Sequence, residues 1–348
     1  MSIGDTVSAS SVTSRKEVQA VAEAQAGVAP LLRAVVQRLP ETMWQVCGYH
    51  FGWLDAAGLP SDADGGKAIR SGLVLASARA VGGNVADALP AAVAVELAHN
   101  FSLLHDDVMD GDHTRRHRPT AWSVFGVPAA VLAGDALLSM AFDALAAASG
   151  GDAAARVLAA AVVELTEGQA ADLAFERRTD VQRDEALLMA EQKTGALMSA
   201  ACMLGAMSAG GSAARIKAFR GFGMQLGVAF QCVDDLLGIW GDPAATGKVV
   251  YADLVRRKKS LPVVSAMSSG SMAATELARL YSIERPLSDV ELIEAARLID
   301  SAGGRYWTRT QARLRLEEAF IFLDAAELAE PAKADLTALA RLITDRDH

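Results

Sequence analysis

The apolar positions of this 348-residue chain recur at helical rather than strand spacing. Runs rich in Ala, Leu, Met, Glu and Arg are separated by Gly- and Pro-containing breakers at residues 58–60, 126–128, 241–243 and 301–304. A sustained alternation of apolar and polar residues, typical of strands, does not occur in the sequence. Because the segments between breakers have the usual length of helices, the pattern predicts a single all-α domain over residues 21–348.

One strongly polar segment and two strongly apolar segments of the chain bear on targeting and on a membrane span. Residues 1–20 are polar and Ser-rich, which predicts a flexible N-terminal arm rather than a secretory signal; a transit peptide is the alternative. Residues 124–149 and 194–211 are apolar enough to raise the question of a membrane span. The first contains Pro128, Asp135 and Asp143, and the second is mostly Ala, Gly, Ser and Met. We expect both to be buried helices and no membrane span.

Composition and charge narrow the function classes. Hydrophobic residues make up 51% of the chain, too many for a disordered protein. The formal net charge of -9 argues against a general nucleic-acid binder, which needs a basic surface. Cys47, Cys202 and Cys232 have neither metal-ligand nor disulfide-framework spacing, which is typical of a reduced, cytoplasmic compartment.

A first acidic cluster, LLHDDVMDGD, contains Asp106, Asp107 and Asp110. On a helix, Asp106 and Asp110 lie one turn apart on one face, and His99 lies two turns before Asp106. Carboxylates at this spacing repel each other in an otherwise apolar helix. A hard cation such as Mg²⁺, completed by water and substrate phosphate, would offset the repulsion.

A second acidic cluster, FQCVDDLLGIWGD, places Gln231, Asp234, Asp235 and Gly238 on one helical face. Asp242 follows Gly241, near the predicted helix end. One acidic pair is common on a solvated helix face, but two pairs within apolar helices favour helix ends that clamp metal ions and a polyphosphate.

Basic residues accompany both acidic clusters. Arg guanidinium and Lys ammonium groups are the usual ligands of diphosphates. Each alone indicates a solvated charge, whereas their placement around two acidic clusters favours a diphosphate site. The set is Lys67, Arg70, Arg115, Arg116, Lys193 with Thr194, Lys248 and Lys258.

In these acidic and basic motifs, which follow one another between about Gly65 and Pro262, the chain resembles the all-trans polyprenyl diphosphate synthases. The resemblance implies a helical bundle around a deep apolar cavity, usually as a homodimer. It implies a Mg²⁺-dependent head-to-tail condensation of isopentenyl diphosphate with dimethylallyl, geranyl or farnesyl diphosphate. Roughly three Mg²⁺ ions per site are implied, with Mn²⁺ as the alternative for oxygen ligands.

The resemblance also implies residue roles. Asp106, Asp110 and Asp234 would bind the metal ions, supported by Asp107 and Asp235. Arg115, Lys193 and Lys248 would hold the allylic diphosphate, with Lys258 nearby. The diphosphate of isopentenyl diphosphate would be held by Lys67, Arg70, His99 and Arg116. The Lys193 carbonyl, Thr194 and Gln231 would face the developing allylic cation, with Gln169 and Asp172 behind them.

Three positions depart from the family pattern. Gly238 stands where the second motif usually carries its third acid, and we expect activity to survive with altered metal affinity, Asp242 partly substituting. Ser71 replaces a usual Pro, which we expect to matter little. His117 stands where Gly is common and is expected to alter the loop after Arg116.

The residues before Asp106 bear on product length. Phe101 lies about 7–8 Å deeper along the helix than Asp106, where an aromatic ring would form a floor. An aromatic there, with the small Ser102 beside it, resembles a twenty-carbon (geranylgeranyl) synthase; a fifteen-carbon (farnesyl) product is the alternative. A purely structural Phe101, packed between helices, is an equally open interpretation.

Three other functions remain open from the residues. A class I terpene cyclase shares the helical fold and an acidic motif, but it has no need of a second diphosphate site. An inactive partner subunit would explain the missing acid at Gly238, but not the two acidic clusters or the basic residues around them. A metal-binding scaffold would explain the aspartates but not the surrounding Lys and Arg residues.

Overall fold

The computed structural model describes residues 26–63, 66, 68–148, 150–242 and 250–344. Its regular structure is helical, apart from a two-stranded antiparallel hairpin of β1 (Thr114–Arg115) and β2 (Arg118–Pro119). The prediction of an all-α fold is therefore confirmed. The predicted N-terminal arm, residues 1–20, lies outside the described residues.

Helices occupy most of the first half of the chain. They are the described part of α1 (Ala26–Val36), α2 (Glu41–His50), α3 (Ile69–Ala80), a 3₁₀ turn (Val85–Ala88), α4 (Leu89–Met109), α5 (Ala121–Phe125), α6 (Val127–Ala146) and α7 (Gly151–Glu176).

The second half is helical in the same way. It contains α8 (Arg183–Ala190), a π-helical turn (Glu191–Gly195), α9 (Ala196–Ser208), α10 (Ala213–Trp240), α11 (Ala252–Val255), α12 (Leu261–Met267), α13 (Met272–Tyr281), α14 (Asp289–Ser301), α15 (Gly304–Ala325) and α16 (Glu330–Thr344).

The chain divides into two compact units. The first comprises the residues up to Val162 together with Leu197–Gly223 and Phe322–Ile343. The second comprises Val163–Ala196 and Met224–Ile321, with the C-terminal residues from Thr344. The expectation of a single domain over residues 21–348 stays a prediction.

Helix α4 is the centre of the first unit and packs against α3 and α6. Every residue of its segment Ala91–Ala98 is buried, so the helix is enclosed on all sides there, which is typical of a core helix. Leu97 and Leu104 are fully buried. The acidic end of this helix is therefore fixed by a rigid support.

Helix α10 supports the second unit in a comparable way. A Cβ atom on its Gly227 would lie 2.6 Å from the Cα atom of Gly195, so only glycine allows α10 to approach the π-helical turn this closely. Farther along the same helix, Ile239 packs in an apolar cluster with Leu254 and Val263. These contacts hold the second acidic cluster.

The two apolar stretches differ in burial. Most residues between Thr194 and Met207 are buried, as expected for a core helix. Val127–Ala146 is long and apolar enough to cross a membrane by length and composition, and 33% of its most apolar part is buried. The expectation of a core helix therefore holds for one face of α6 only.

Candidate active site

The first acidic cluster stands at the C-terminal end of α4. Asp106 lies in the last turn and Asp110 follows the last helical residue, with the Asp110 amide donating to the Asp106 carbonyl at 2.8 Å. Both side chains are half-buried. Acids are unfavourable at the negative end of a helix dipole, so this placement is typical of a cation-binding site rather than of stabilisation.

Asp107 lies between them and points into the protein. Arg115 donates from both Nε and Nη2 to its Oδ1 atom, at 2.8 and 2.6 Å. Burial, which outweighs the charge of Arg115, raises the pKa of Asp107. Within the described part of the chain, the buried Oδ2 atom accepts no hydrogen bond. One carboxylate oxygen therefore holds Arg115, and the other remains available to a further donor or cation.

The β1–β2 hairpin positions the arginines that follow. Its turn consists of Arg116 and His117, both with positive φ (50° and 60°), the conformation of a two-residue type I′ turn. On β2, Arg118 donates to the carbonyls of Tyr49 (3.1 Å) and Leu54 (3.3 Å). His117 thus alters the turn energetically, since glycine is the residue that favours this conformation.

A cationic cluster in the first unit contains Arg70, His99 and Arg116. The Arg70 Nη1 atom lies 3.1 Å from His99 Nε2; because a guanidinium only donates, Nε2 accepts and the ring proton is on Nδ1. Burial first, then the charges of Arg70 and Arg116, lowers the pKa of His99 well below its usual range. His99 is therefore neutral at pH 7.

The Gly-Gly segment reaches the same cluster. Gly66 has φ 101°, and a Cβ atom there would lie 2.7 Å from Cζ of Arg116. The φ of 101° is a conformation that favours glycine, and the absence of a side chain at Gly66 leaves room for the guanidinium. Of the four residues predicted to hold isopentenyl diphosphate, Arg70, His99 and Arg116 are thus close to one another, and Lys67 lies outside the described residues. Lys248, predicted to hold the allylic diphosphate, also lies outside them.

His50 belongs to this region but carries no sequence motif. A small pocket is lined by Tyr49, His50, Asp107, the three arginines of the hairpin and Thr120. The Nε2 atom of His50 donates to Asn100 Oδ1 at 3.1 Å, and Asn100 Nδ2 donates to the Glu96 carbonyl at 2.8 Å. Burial and then the charges of Arg116 and Arg115 lower the pKa of His50 to about 3. Its position on α2, far away in the sequence, explains why pattern reasoning missed it.

The π-helical turn carries Lys193 and Thr194. The Ala196 amide donates to the Glu191 carbonyl, five residues back, which widens the helix at this point. A Cβ atom on Gly168 of α7 would lie 2.8 Å from the Lys193 Cα atom, so α7 supports the turn closely. Single π-helical turns occur frequently at functional sites.

A hydrogen-bond chain links this turn to α10. Thr194 Oγ1 donates to Gln231 Oε1 at 2.5 Å, and Gln231 Nε2 donates to Asp235 Oδ1 at 2.6 Å. The second oxygen of Asp235 accepts from the Leu261 amide at 2.8 Å. Both Asp235 oxygens are therefore occupied by protein donors, while Asp234, one residue earlier, is half-buried.

Asp172 on α7 connects two of the predicted diphosphate ligands. Lys193 Nζ donates to its Oδ2 atom at 2.6 Å, and Lys258 Nζ lies 3.8 Å from the same atom. Burial alone would raise the pKa of Asp172, but the charges of Lys193 and Lys258 lower it. The carboxylate is thus ionised and fixes both ammonium groups; Gln169, one turn earlier on α7, is buried.

The residues predicted to set product length lie on the buried side of α4. Phe101 is 6% exposed, and its ring meets that of His105 edge-on, 4.9 Å between centroids. His105 Nε2 donates to the Val131 carbonyl of α6 at 3.0 Å. Ser102 Oγ donates to the His99 carbonyl at 2.8 Å. Phe101 is therefore supported from α6 through His105.

The metal-ligand prediction fits the chemistry of the donors. Among the described residues, no three His, Cys, Asp or Glu side chains form a group that would hold a metal ion by themselves. Mg²⁺ usually takes one or two protein carboxylates and completes its shell with water and substrate phosphate. Asp106 and Asp110, one helical turn apart at the end of α4, supply hard oxygen donors that suit such an ion.

Comparison with known proteins identifies the family. The family model described as polyprenyl synthetase matches residues 53–299. The chain belongs to the polyprenyl synthetase family. It is thus an enzyme, a prenyltransferase, and the family resemblance of its motifs is confirmed.

Two curated relatives of this polyprenyl synthetase differ in product. The (2E,6E)-farnesyl diphosphate synthase of Mycobacterium tuberculosis is 46% identical over 324 residues, covering 92% of this chain and 90% of the relative. The geranylgeranyl diphosphate synthase of that organism is 45% identical over 327 residues, covering 93% and 92%. Among solved structures, polyprenyl synthetase from Streptomyces coelicolor A3(2) superposes with a TM-score of 0.90 at 44% identity, covering 94% of this chain and 99% of that one.

Proposed function

We propose that this enzyme condenses isopentenyl diphosphate head-to-tail with an allylic diphosphate and releases a short-chain all-trans prenyl diphosphate. The main product is geranylgeranyl diphosphate, with farnesyl diphosphate as the alternative. The starter is dimethylallyl, geranyl or farnesyl diphosphate. The product grows into an apolar cavity of the helical fold.

The observation that carries the proposal is the cationic cluster of Arg70, neutral His99 and Arg116 beside Gly66. It is separate in sequence from the lysines that Asp172 holds. A condensing enzyme needs two diphosphate sites, whereas a class I terpene cyclase needs one. Neutral His99 supports the proposal further, because its Nδ1–H is a donor for a phosphate oxygen.

Asp106, Asp110 and Asp234 are the residues proposed to hold Mg²⁺, on which enzymes of this family generally depend. Mn²⁺ is an alternative because it accepts the same oxygen ligands. When bound, the metal neutralises charge on the leaving diphosphate. Asp107 and Asp235 act as supports, the former through Arg115 and the latter through Gln231.

The chain's own groups account for the remaining steps. Arg115, Lys193 and Lys248, with Lys258, stabilise the negative charge that develops as the allylic carbon–oxygen bond breaks. The Lys193 carbonyl, Thr194 and Gln231 face the resulting allylic cation, which must be shielded from water. The double bond of isopentenyl diphosphate, held by Lys67, Arg70, His99 and Arg116, attacks the cation. A new carbon–carbon bond forms, and the released diphosphate takes the proton.

Condensation with labelled isopentenyl diphosphate, Mg²⁺ and each of the three starters tests the proposal. We expect labelled prenyl diphosphates and loss of label incorporation in Asp106→Asn, the matched inactive variant. Release of unlabelled hydrocarbon would favour a terpene cyclase. No turnover by the purified protein would favour an inactive partner subunit.

We also propose a homodimer in the cytoplasm, without nucleic-acid partners. Helix α6 supports the dimer, since its Val127, Val131 and Leu132 expose apolar side chains, Leu132 to 57%. Light scattering after gel filtration should give a mass twice that of one chain for the wild type, and the mass of a single chain for Leu132→Glu.

The cytoplasmic location is supported by the three buried cysteines, which form no disulfide and are typical of a reducing compartment. Fractionation of cells that produce the protein tests that location.

A further inference from the structure

The carboxylate of Asp253 lies against the surface of α10 at Gly238. A Cβ atom built on Gly238 would lie 2.5 Å from the Asp253 Cγ atom and 2.9 Å from Oδ1, and nearer still to Oδ2. The Asp253 carboxylate thus fills the space that any side chain at position 238 would enter. Position 238 is one helical turn after Asp234, where the second acidic cluster lacks its third acid.

The local fold holds Asp253 firmly in this place. Tyr251, with φ 61°, turns the chain into the short helix α11. The Lys258 amide donates to the Asp253 carbonyl at 2.9 Å, and Leu254 is fully buried in the apolar cluster beside Ile239. The Asp253 carboxylate is therefore positioned by backbone and packing together.

The other acid near the second acidic cluster is Asp242. Asp242 has no comparable place, since it follows the end of α10 at Trp240 and is exposed. The acid that stands beside Gly238 is therefore Asp253 rather than Asp242, the residue that sequence distance suggests.

We propose that Asp253 supplies the third carboxylate of the second acidic cluster and serves, with Asp234, the Mg²⁺-bound diphosphate of the allylic substrate. The inference rests on the proposed function. The carboxylate would act on an ion that takes one or two protein carboxylates and completes its shell with diphosphate and water. Gly238 is then required as the space for this carboxylate.

Calorimetric binding of inorganic pyrophosphate at increasing Mg²⁺ concentration tests the inference without turnover. Asp253→Asn keeps the shape of the side chain and removes its charge. We expect it to raise the Mg²⁺ concentration for half-maximal pyrophosphate binding by about 10-fold or more, the usual effect of losing a supporting carboxylate. Asp242→Asn, the matched control, should titrate like wild type.

A relocation variant tests the geometry. Gly238→Asp combined with Asp253→Gly moves the carboxylate onto α10 and should recover most of the affinity lost in Asp253→Asn. The inference would be overturned if the Mg²⁺ concentration for half-maximal pyrophosphate binding by Asp253→Asn lay within twofold of the wild-type value. It would also be overturned if the wild-type protein bound no pyrophosphate in the presence of Mg²⁺. If the titrations gave the expected results but the wild-type protein showed no condensation activity, only the proposed function would be overturned. Thermal unfolding checks that each variant folds. If the double variant does not fold, the pyrophosphate titration of Asp253→Asn alone tests the inference.

Discussion

The Ser71 amide donates a hydrogen bond of 2.9 Å to the Oε1 atom of the buried Glu96. The bond joins the first turn of α3 to α4, next to Arg70 of the cationic cluster. Proline, the residue that the family resemblance predicts at this position, has no amide hydrogen and could not make it. Ser71, a departure from the family pattern expected to matter little, therefore provides an amide donor for the buried Glu96 carboxylate.

Ser71→Pro should destabilise the enzyme although proline is tolerated in the first turn of a helix. It removes the amide that donates to the buried Glu96 carboxylate, so the free energy of unfolding should fall by about 2 kcal/mol more than in Ser71→Ala. Ser71→Ala is the matched control, because it removes only the hydroxyl that bonds the Ala68 carbonyl. Urea unfolding of both variants measures the difference; equal stabilities would contradict the role of the amide.

The turn of the β1–β2 hairpin predicts a stabilising substitution. His117 is exposed and adopts φ 60°, a conformation that costs a residue with a Cβ atom about 1–2 kcal/mol. His117→Gly removes this strain at some cost in chain entropy, so unfolding free energy should rise by about 0.5–1 kcal/mol. His117→Ala retains the strain and should show no gain. A glycine variant no more stable than the alanine variant would refute the argument.

The sequence predicted the parts of this site that depend on local periodicity. Asp106 and Asp110 occupy the end of α4, and Gln231, Asp235 and Gly238 lie on α10, because helical spacing alone determines these faces. Contacts between distant segments follow from packing and were not predictable. His50 with Asn100 and Asp253 with Gly238 are of this kind; the missing acid at Gly238 was the one available signal for Asp253.

Stability should depend on pH through His50. Its pKa is about 3 in the folded protein against 6.5 for the ordinary group, so the unfolded chain takes up the proton first as pH falls. Stability is full above about pH 6.5 and declines below it, by about 2 kcal/mol between pH 7 and 5 for this group. The charged groups that oppose its protonation are Arg115, Arg116 and Arg118.

His50→Gln should remove this part of the pH dependence, since glutamine can donate to Asn100 but does not titrate. Guanidinium unfolding at pH 7 and pH 5 should show a stability loss about 2 kcal/mol smaller in the variant than in wild type. His99, whose pKa is also lowered, remains in both proteins and cancels in the comparison. Parallel pH dependences would show that His50 is not responsible.

Product length should respond to Phe101 and to the residue that supports it. His105 meets the Phe101 ring at 4.9 Å, and a Cβ atom on Gly134 of α6 would lie 2.5 Å from His105 Cδ2, so the imidazole fills the space beside that glycine. If Phe101 is the floor of the cavity, Phe101→Ala removes it and should shift products toward longer prenyl chains. His105→Ala leaves the ring unsupported and should produce a smaller shift in that direction. Phe101→Tyr keeps the ring and should retain the wild-type distribution on chromatography. Unchanged products in Phe101→Ala would assign the ring to helix packing alone.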